Sequence, residues 1–198
     1  VWYVLIVRLK IRPNFFPKVR VLRYLLMIAA PFAGAAFFSR ITTFADTSII
    51  ASLAGEQFAG WYAAGNKLVL ALNILPASVS ASIYPAMSAA FQARHTDRIG
   101  EITSRSLIYL FLISMPMAVG IFVLAPQLVH FFYGPTYGPT SNILQLLMPG
   151  LVFGFLSYPV GALLAATNKQ RINTVLFGIA AVVSIEANLA LIPIADAR

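Results

Sequence analysis

Residues Leu107–Ala125 read LIYLFLISMPMAVGIFVLA, without one charged side chain. The run does not alternate apolar with polar positions, as a membrane-crossing barrel strand does over about ten residues. It is therefore read as a helix, and its length matches the roughly 20 residues that cross the hydrocarbon core of a bilayer. In lipid the backbone must satisfy its own hydrogen bonds, which a helix does within one segment.

Outward from this run the chain divides in the same way. A truncated span at 1–7 precedes a basic loop over 8–23, RLKIRPNFFPKVRVLR. A second span is expected over about 24–53, and the turn AGEQFAG leads into a third over about 57–87. QARHTDRIGEITSR, residues 92–105, reads as a loop before a fourth span at about 106–128. HFFYGPTYGPTS leads to a fifth at about 142–166, and the tight turn TNKQR to a sixth at 172 to about 194. The expected fold is all-α: a polytopic transmembrane helix bundle of five full spans plus one truncated span. Neither VWYVLIV at the start nor ADAR at the end resembles a natural terminus, so both ends read as cuts in a longer chain.

Composition supports this division. Of 198 residues, 60% are hydrophobic and 10% charged, and the mean hydropathy is +0.83. A soluble domain carries about 25% charged residues. So apolar a chain excludes a soluble enzyme, a disordered tail and a nucleic-acid module, whatever its net charge of +8 suggests. The absence of cysteine excludes a disulfide framework and a thiolate metal site.

The basic residues set an orientation. Arg8, Lys10, Arg12, Lys18, Arg20, Arg23, Arg94, Arg98, Arg105, Lys169 and Arg171 fall in loops of one side, against Arg198 alone on the other. By the positive-inside rule the 8–23, 92–105 and 167–171 loops face the cytoplasm, where they also meet anionic membrane lipids. Trp61, Tyr62, Phe131, Phe132, Tyr133 and Tyr137 then cluster at the opposite interface, where amphipathic rings anchor.

Four charged residues remain inside spans: Arg40, Asp46, Lys67 and Glu186. Each costs about 2.5–3.5 kcal/mol at a helix centre, so such residues usually face a bundle interior or a wet cavity. Asp46 and Lys67 lie at similar distances on either side of the Glu56–Gln57 turn, a placement that allows an ion pair or a polar site with exchanging partners. Arg40, Thr43 and Thr47 recur at helical spacing with Asp46 on the neighbouring edge. Asn66, Asn73 and Ser80 make a second stripe beside Lys67. Intramembrane packing is one reading of these stripes. The other is a cavity lined by Arg40, Thr43, Asp46, Thr47, Asn66, Lys67, Asn73 and Glu186. Arginine and lysine would give it affinity for an anionic or polar amphiphile.

The run ADTSIIASLAGEQFAGWYAAGNKLVLALNILPASVSASIYPAMSAAF, with FFYGPTYGPTSNILQLLMPGLVF and ANLALIPIADA further on, resembles the polysaccharide flippases of the multidrug/oligosaccharidyl-lipid/polysaccharide exporter superfamily. The resemblance covers roughly residues 20–198. It implies a fragment of a transporter of twelve to fourteen helices, with residues 1–23 ending one helix and linking two lobes, and 24–198 in the second lobe. It also implies a bacterial inner-membrane protein that flips undecaprenyl-diphosphate-linked oligosaccharide by alternating access, coupled to H+ or Na+. Arg40 and Lys67 are the matching candidates for holding the anionic headgroup.

A multidrug antiporter of the same fold is the alternative, for which this segment offers only Asp46 and Glu186 as coupling carboxylates. A membrane-embedded glycosyltransferase would need catalytic acids or histidines in a sizeable exposed loop. The outward loops offer Glu56 and His130 and little else. With no phosphate-cradling Gly-rich loop, metal-spaced cluster or nucleophile–base pair, the sequence implies neither an enzyme nor a cofactor, and no nucleic-acid partner.

Overall fold

The structure, a computed structural model, describes residues 19–196, apart from the side chains of 42–43 and 188–196. The truncated span at 1–7 and most of the basic loop lie outside the described residues.

Six α-helices follow one another, with no strand among the described residues: α1 (Val19–Ala54), α2 (Glu56–Leu72), α3 (Ile74–Gln92), α4 (Thr96–Tyr133), α5 (Thr140–Ala166) and α6 (Gln170–Asp196). A short 3₁₀ turn, Pro135–Tyr137, joins α4 to α5. The all-α expectation holds, with three changes of boundary.

The expected third span is broken at Asn73. Pro76 has no N–H, and its ring crowds the carbonyl of Leu72, four residues back. The chain yields there: the Asn73 N–H turns back to the Leu70 carbonyl at 3.2 Å, and α3 restarts with Pro76 in its first turn, where no helical donor is needed.

Residues 96–105, expected as loop, are helix. Asp97 sits in the first turn of α4, where a negative charge meets the positive end of the helix dipole. Glu101 and Arg105 pair at 2.6 Å across one turn. Ile102 packs toward a small core of Met87, Ala162 and Ala166. Only Ala93–His95 separate α3 from α4. The third change is at α1, which is already helical at Val19 and so includes Arg20 and Arg23.

The core sits between α4 and α5. On α5 the buried positions are Thr140, Leu144, Met148, Leu151, Phe155, Pro159, Ala162 and Ala166, a repeat of three and four that keeps one face inward. On α4 they are Ser106, Leu110, Ser114, Ala118, Ala125 and Val129, mostly small, as close helix approach in lipid requires. α5 packs against α2, α3 and α4, whereas α1 packs along α6 and against α2.

The outer faces are as apolar as the core. Leu146, Phe153 and Phe131 are 82%, 73% and 81% exposed, and they stand among dozens of exposed large apolar side chains that water would not tolerate as one surface. Among the described residues α1, the α2–α3 pair, α4 and α5 are each long and apolar enough to cross a membrane. The chain is a multi-pass membrane protein.

Two contacts explain how bent or crowded helices stay satisfied. Pro126 removes the N–H that would bond the Phe122 carbonyl within α4. The Gln145 Nε2 of α5 donates to that carbonyl at 2.9 Å. Between α1 and α6 the backbones come close: a Cβ on Gly34 would lie 2.9 Å from Thr174 Cγ2, and Phe38 lies over Gly178. The Thr174 hydroxyl reaches the Pro31 carbonyl at 2.5 Å.

Candidate substrate cavity and its polar node

Asp46 sits eight residues before the end of α1 and is partly buried. Its Oδ1 accepts a hydrogen bond of 2.8 Å from the Ser184 hydroxyl of α6. Tyr62 of α2 lies close enough to feel the Asp46 charge. Three helices therefore meet around one carboxylate. They do so because Gly34, Gly178 and the buried Ala35 and Ala181 let α1 and α6 run side by side, and because the single Gly55 turn folds α2 back on α1.

The Asp46–Lys67 ion pair that their depths allow does not form among the described residues, where Glu101–Arg105 is the one ion pair. Lys67 is exposed, as is Arg40 on α1. Neither points into the packed interior of this chain. Thr47 and Asn66 are partly buried, and Asn73 occupies the break between α2 and α3. Glu186 is exposed, two residues beyond Ser184. The side chain of Thr43 lies outside the described residues.

The two stripes thus split. Asp46 turns to a contact with α6, whereas Arg40 and Lys67 remain on the surface. Most hydroxyls elsewhere serve their own helix: Ser78, Ser82, Thr103, Ser106 and Ser157 all donate to carbonyls three or four residues back. The Ser80 Oγ is buried with no hydrogen-bond partner among the described residues.

At the other end of the aromatic girdle, Tyr133 Oη donates to the Ala64 carbonyl at 3.1 Å and Thr140 Oγ1 to that of Trp61, also at 3.1 Å. These bonds tie the α4–α5 connection to α2. The ring clusters Phe58–Trp61 and Tyr133–Tyr137 flank it.

Sequence reading missed Ser184, Tyr62 and Gln145. For Gln145 a signal existed: an amide inside an apolar run, with proline on the preceding helix to free a carbonyl. Ser184 gave none, because a lone serine in a membrane helix usually bonds its own backbone.

The comparisons with known proteins carry this geometry further. A family described as "Polysaccharide biosynthesis protein" matches residues 1–142, a range that contains every cavity candidate except Glu186. The chain belongs to this family. Over 139 residues it is 24% identical to a Shigella flexneri protein named "Putative O-antigen transporter", covering 70% of this chain and 32% of that relative. The chain thus spans about a third of the length of the curated relative it matches. No solved structure matches it.

Proposed function

We propose that this chain forms part of the second lobe of a flippase in the bacterial inner membrane, with the 1–23 segment linking the lobes. Its cargo would be an undecaprenyl-diphosphate-linked oligosaccharide, such as an O-antigen or exopolysaccharide repeat unit, moved by alternating access. The family match over 1–142 carries the reading, and the relative named as an O-antigen transporter points the same way. The antiporter alternative has no such support.

In this reading Arg40 and Lys67, whose side chains are exposed among the described residues, face a cavity shared with the first lobe and attract the diphosphate. Thr43, Asn66 and Asn73 add hydrogen-bonding groups along its wall. Asp46 and Thr47, with Ser184, are the place where H+ or Na+ couples to transport, since one proton or cation there neutralises an intramembrane carboxylate. Glu186 lies near the outer mouth. The sixth span crosses with α6, and the 8–23, 92–105 and 167–171 segments face the cytoplasm.

Complementation tests this directly. In cells lacking their own flippase, full-length protein carrying Arg40→Ala or Lys67→Ala should reach the membrane normally yet restore little surface polysaccharide. Full export by both variants would remove the cationic cavity.

A further inference from the structure

We infer that the cleft between the carboxyl ends of α3 and α5 is a binding site for the phosphate headgroup of a membrane lipid. The cleft has a volume of about 450 Å³, within the roughly 300–1,000 Å³ of small-ligand sites. Tyr84, Ser88, Phe91, Gln92 and Arg94 line one wall and Asn168 closes the other.

Its shape is that of an amphiphile. From Arg94 to Tyr84 is ten residues, about 15 Å along a helix. The loop end offers a guanidinium and the amides of Gln92 and Asn168. The far end offers the rings of Phe91 and Tyr84, 38% and 41% exposed. Ser88 stands between them. A phosphate fits the guanidinium fork, the amides and hydroxyls suit a glycerol or sugar headgroup, and the rings border an acyl chain.

Arg94 is available for this role. Glu101, which lines an adjoining hollow with Arg94, is held by Arg105 at 2.6 Å. Asp97 lines the same hollow without reaching ion-pair distance. Arg94 therefore has no ion-pair partner among the described residues.

The backbone supplies a second argument. α3 and α5 end alike: His95 N–H bonds the Ala90 carbonyl and Lys169 N–H that of Leu164, each closing a Schellman turn. The left-handed residues of these turns are Arg94 (φ 58°) and Asn168 (φ 59°). Glycine or asparagine takes that conformation at least cost. Arginine does not, so the guanidinium is held at the mouth of the cleft at a cost to the backbone.

The phosphate could belong to a bulk phospholipid or to a polyprenyl diphosphate carrier. Full-length protein in maltoside detergent is titrated with phosphatidylglycerol, or with a galactolipid of the same chains, and retained lipid is counted by native mass spectrometry. Wild type should retain phosphatidylglycerol in preference to the galactolipid. Arg94→Gln should lower that retention about fivefold, Arg94→Lys less, and Arg171→Gln, on a residue outside the cleft, by under about twofold. Unchanged melting temperatures verify that each variant is folded, and Ser88→Ala and Asn168→Gly, which should each lower retention, repeat the test without touching charge. Displacement by added polyprenyl diphosphate would place the carrier in the same site, and no displacement would leave it to bulk phospholipid. Equal losses for Arg94→Gln and Arg171→Gln, or none for either, would overturn the site. The flippase reading stands or falls separately, on export.

Discussion

Asp46 is expensive to place, a carboxylate inside a membrane helix at about 2.5–3.5 kcal/mol. The Ser184 hydroxyl recovers part of that cost, since a hydrogen bond to a charged group contributes about 1.5–3 kcal/mol. Ser184→Ala should therefore lower stability by about 1–2 kcal/mol, read as a drop in unfolding temperature in detergent. Asp46→Asn keeps an oxygen to accept the Ser184 hydrogen and removes the charge. It should fold at least as stably as wild type and fail in transport if this carboxylate couples the ion. A variant that unfolds yet whose residual folded fraction still transports would reverse the assignment. A different residue-scale test concerns the two left-handed turns. Arg94→Gly relieves a penalty of about 1 kcal/mol and should raise the unfolding temperature, whereas Asn168→Gly should change it little, because asparagine already tolerates that conformation. Similar shifts in both would mean that the Arg94 backbone is not the costly one.

Among the elements, two contacts carry distinct predictions. Gly34 faces a threonine that cannot step aside, because its hydroxyl is engaged by the Pro31 and Gln170 carbonyls. Gly34→Ala should therefore separate α1 from α6 and cost about 1–3 kcal/mol, weakening the Asp46–Ser184 bond with it. Gln145→Leu should cost about 0.5–2 kcal/mol by leaving the Phe122 carbonyl bare. In a Pro126→Ala background the helix supplies its own donor to that carbonyl, so Gln145→Leu should then cost almost nothing. Additive losses in this double-mutant cycle would show that the amide does something else. These contacts also mark what sequence could reveal. Helix type follows from unbroken apolar runs, and the turn between α5 and α6 from the polar residues Thr167, Asn168 and Lys169. The Asp46–Ser184 pair did not, because its partners are 138 residues apart and lipid removes the usual guide: both faces of every helix are apolar, so periodicity no longer tells inside from outside. Pro76 signals the break at Asn73, although a proline in a membrane helix commonly marks only a kink, and the extension of α4 is hidden because a charged stretch suits a loop as well as a helix end. Arg40 and Lys67 were found as intramembrane charges, but an exposed face of this segment acquires meaning only from what else packs there.

At the scale of the whole molecule, the direction of α6 tests the span count. Pro31 meets Thr174, Phe38 meets Gly178 and Asp46 meets Ser184, so positions rise together and α1 and α6 run parallel. If α2 and α3 were separate crossings, α6 would run opposite to α1. Parallel packing thus requires that the Asn73 break be a kink within one crossing, and it gives α1, α4 and α6 the same direction. At 1.5 Å per residue the 38 residues of α4 reach about 57 Å, nearly twice the roughly 30 Å hydrocarbon core, so its amino end must stand clear of the lipid. The lack of cysteine in this chain makes both points measurable by cysteine scanning. In intact cells a membrane-impermeant maleimide should label Glu56→Cys and Thr136→Cys. Ser104→Cys and Lys169→Cys should react only after the membrane is opened, and Ile113→Cys should stay unlabelled in both. Asn73→Cys should follow the interior rather than either surface: if it reacts only after the membrane is opened while Ser104→Cys reacts in intact cells, the break reaches the inner face, α2 and α3 cross separately, and the cytoplasmic placement of Arg94, Arg98 and Arg105 is reversed.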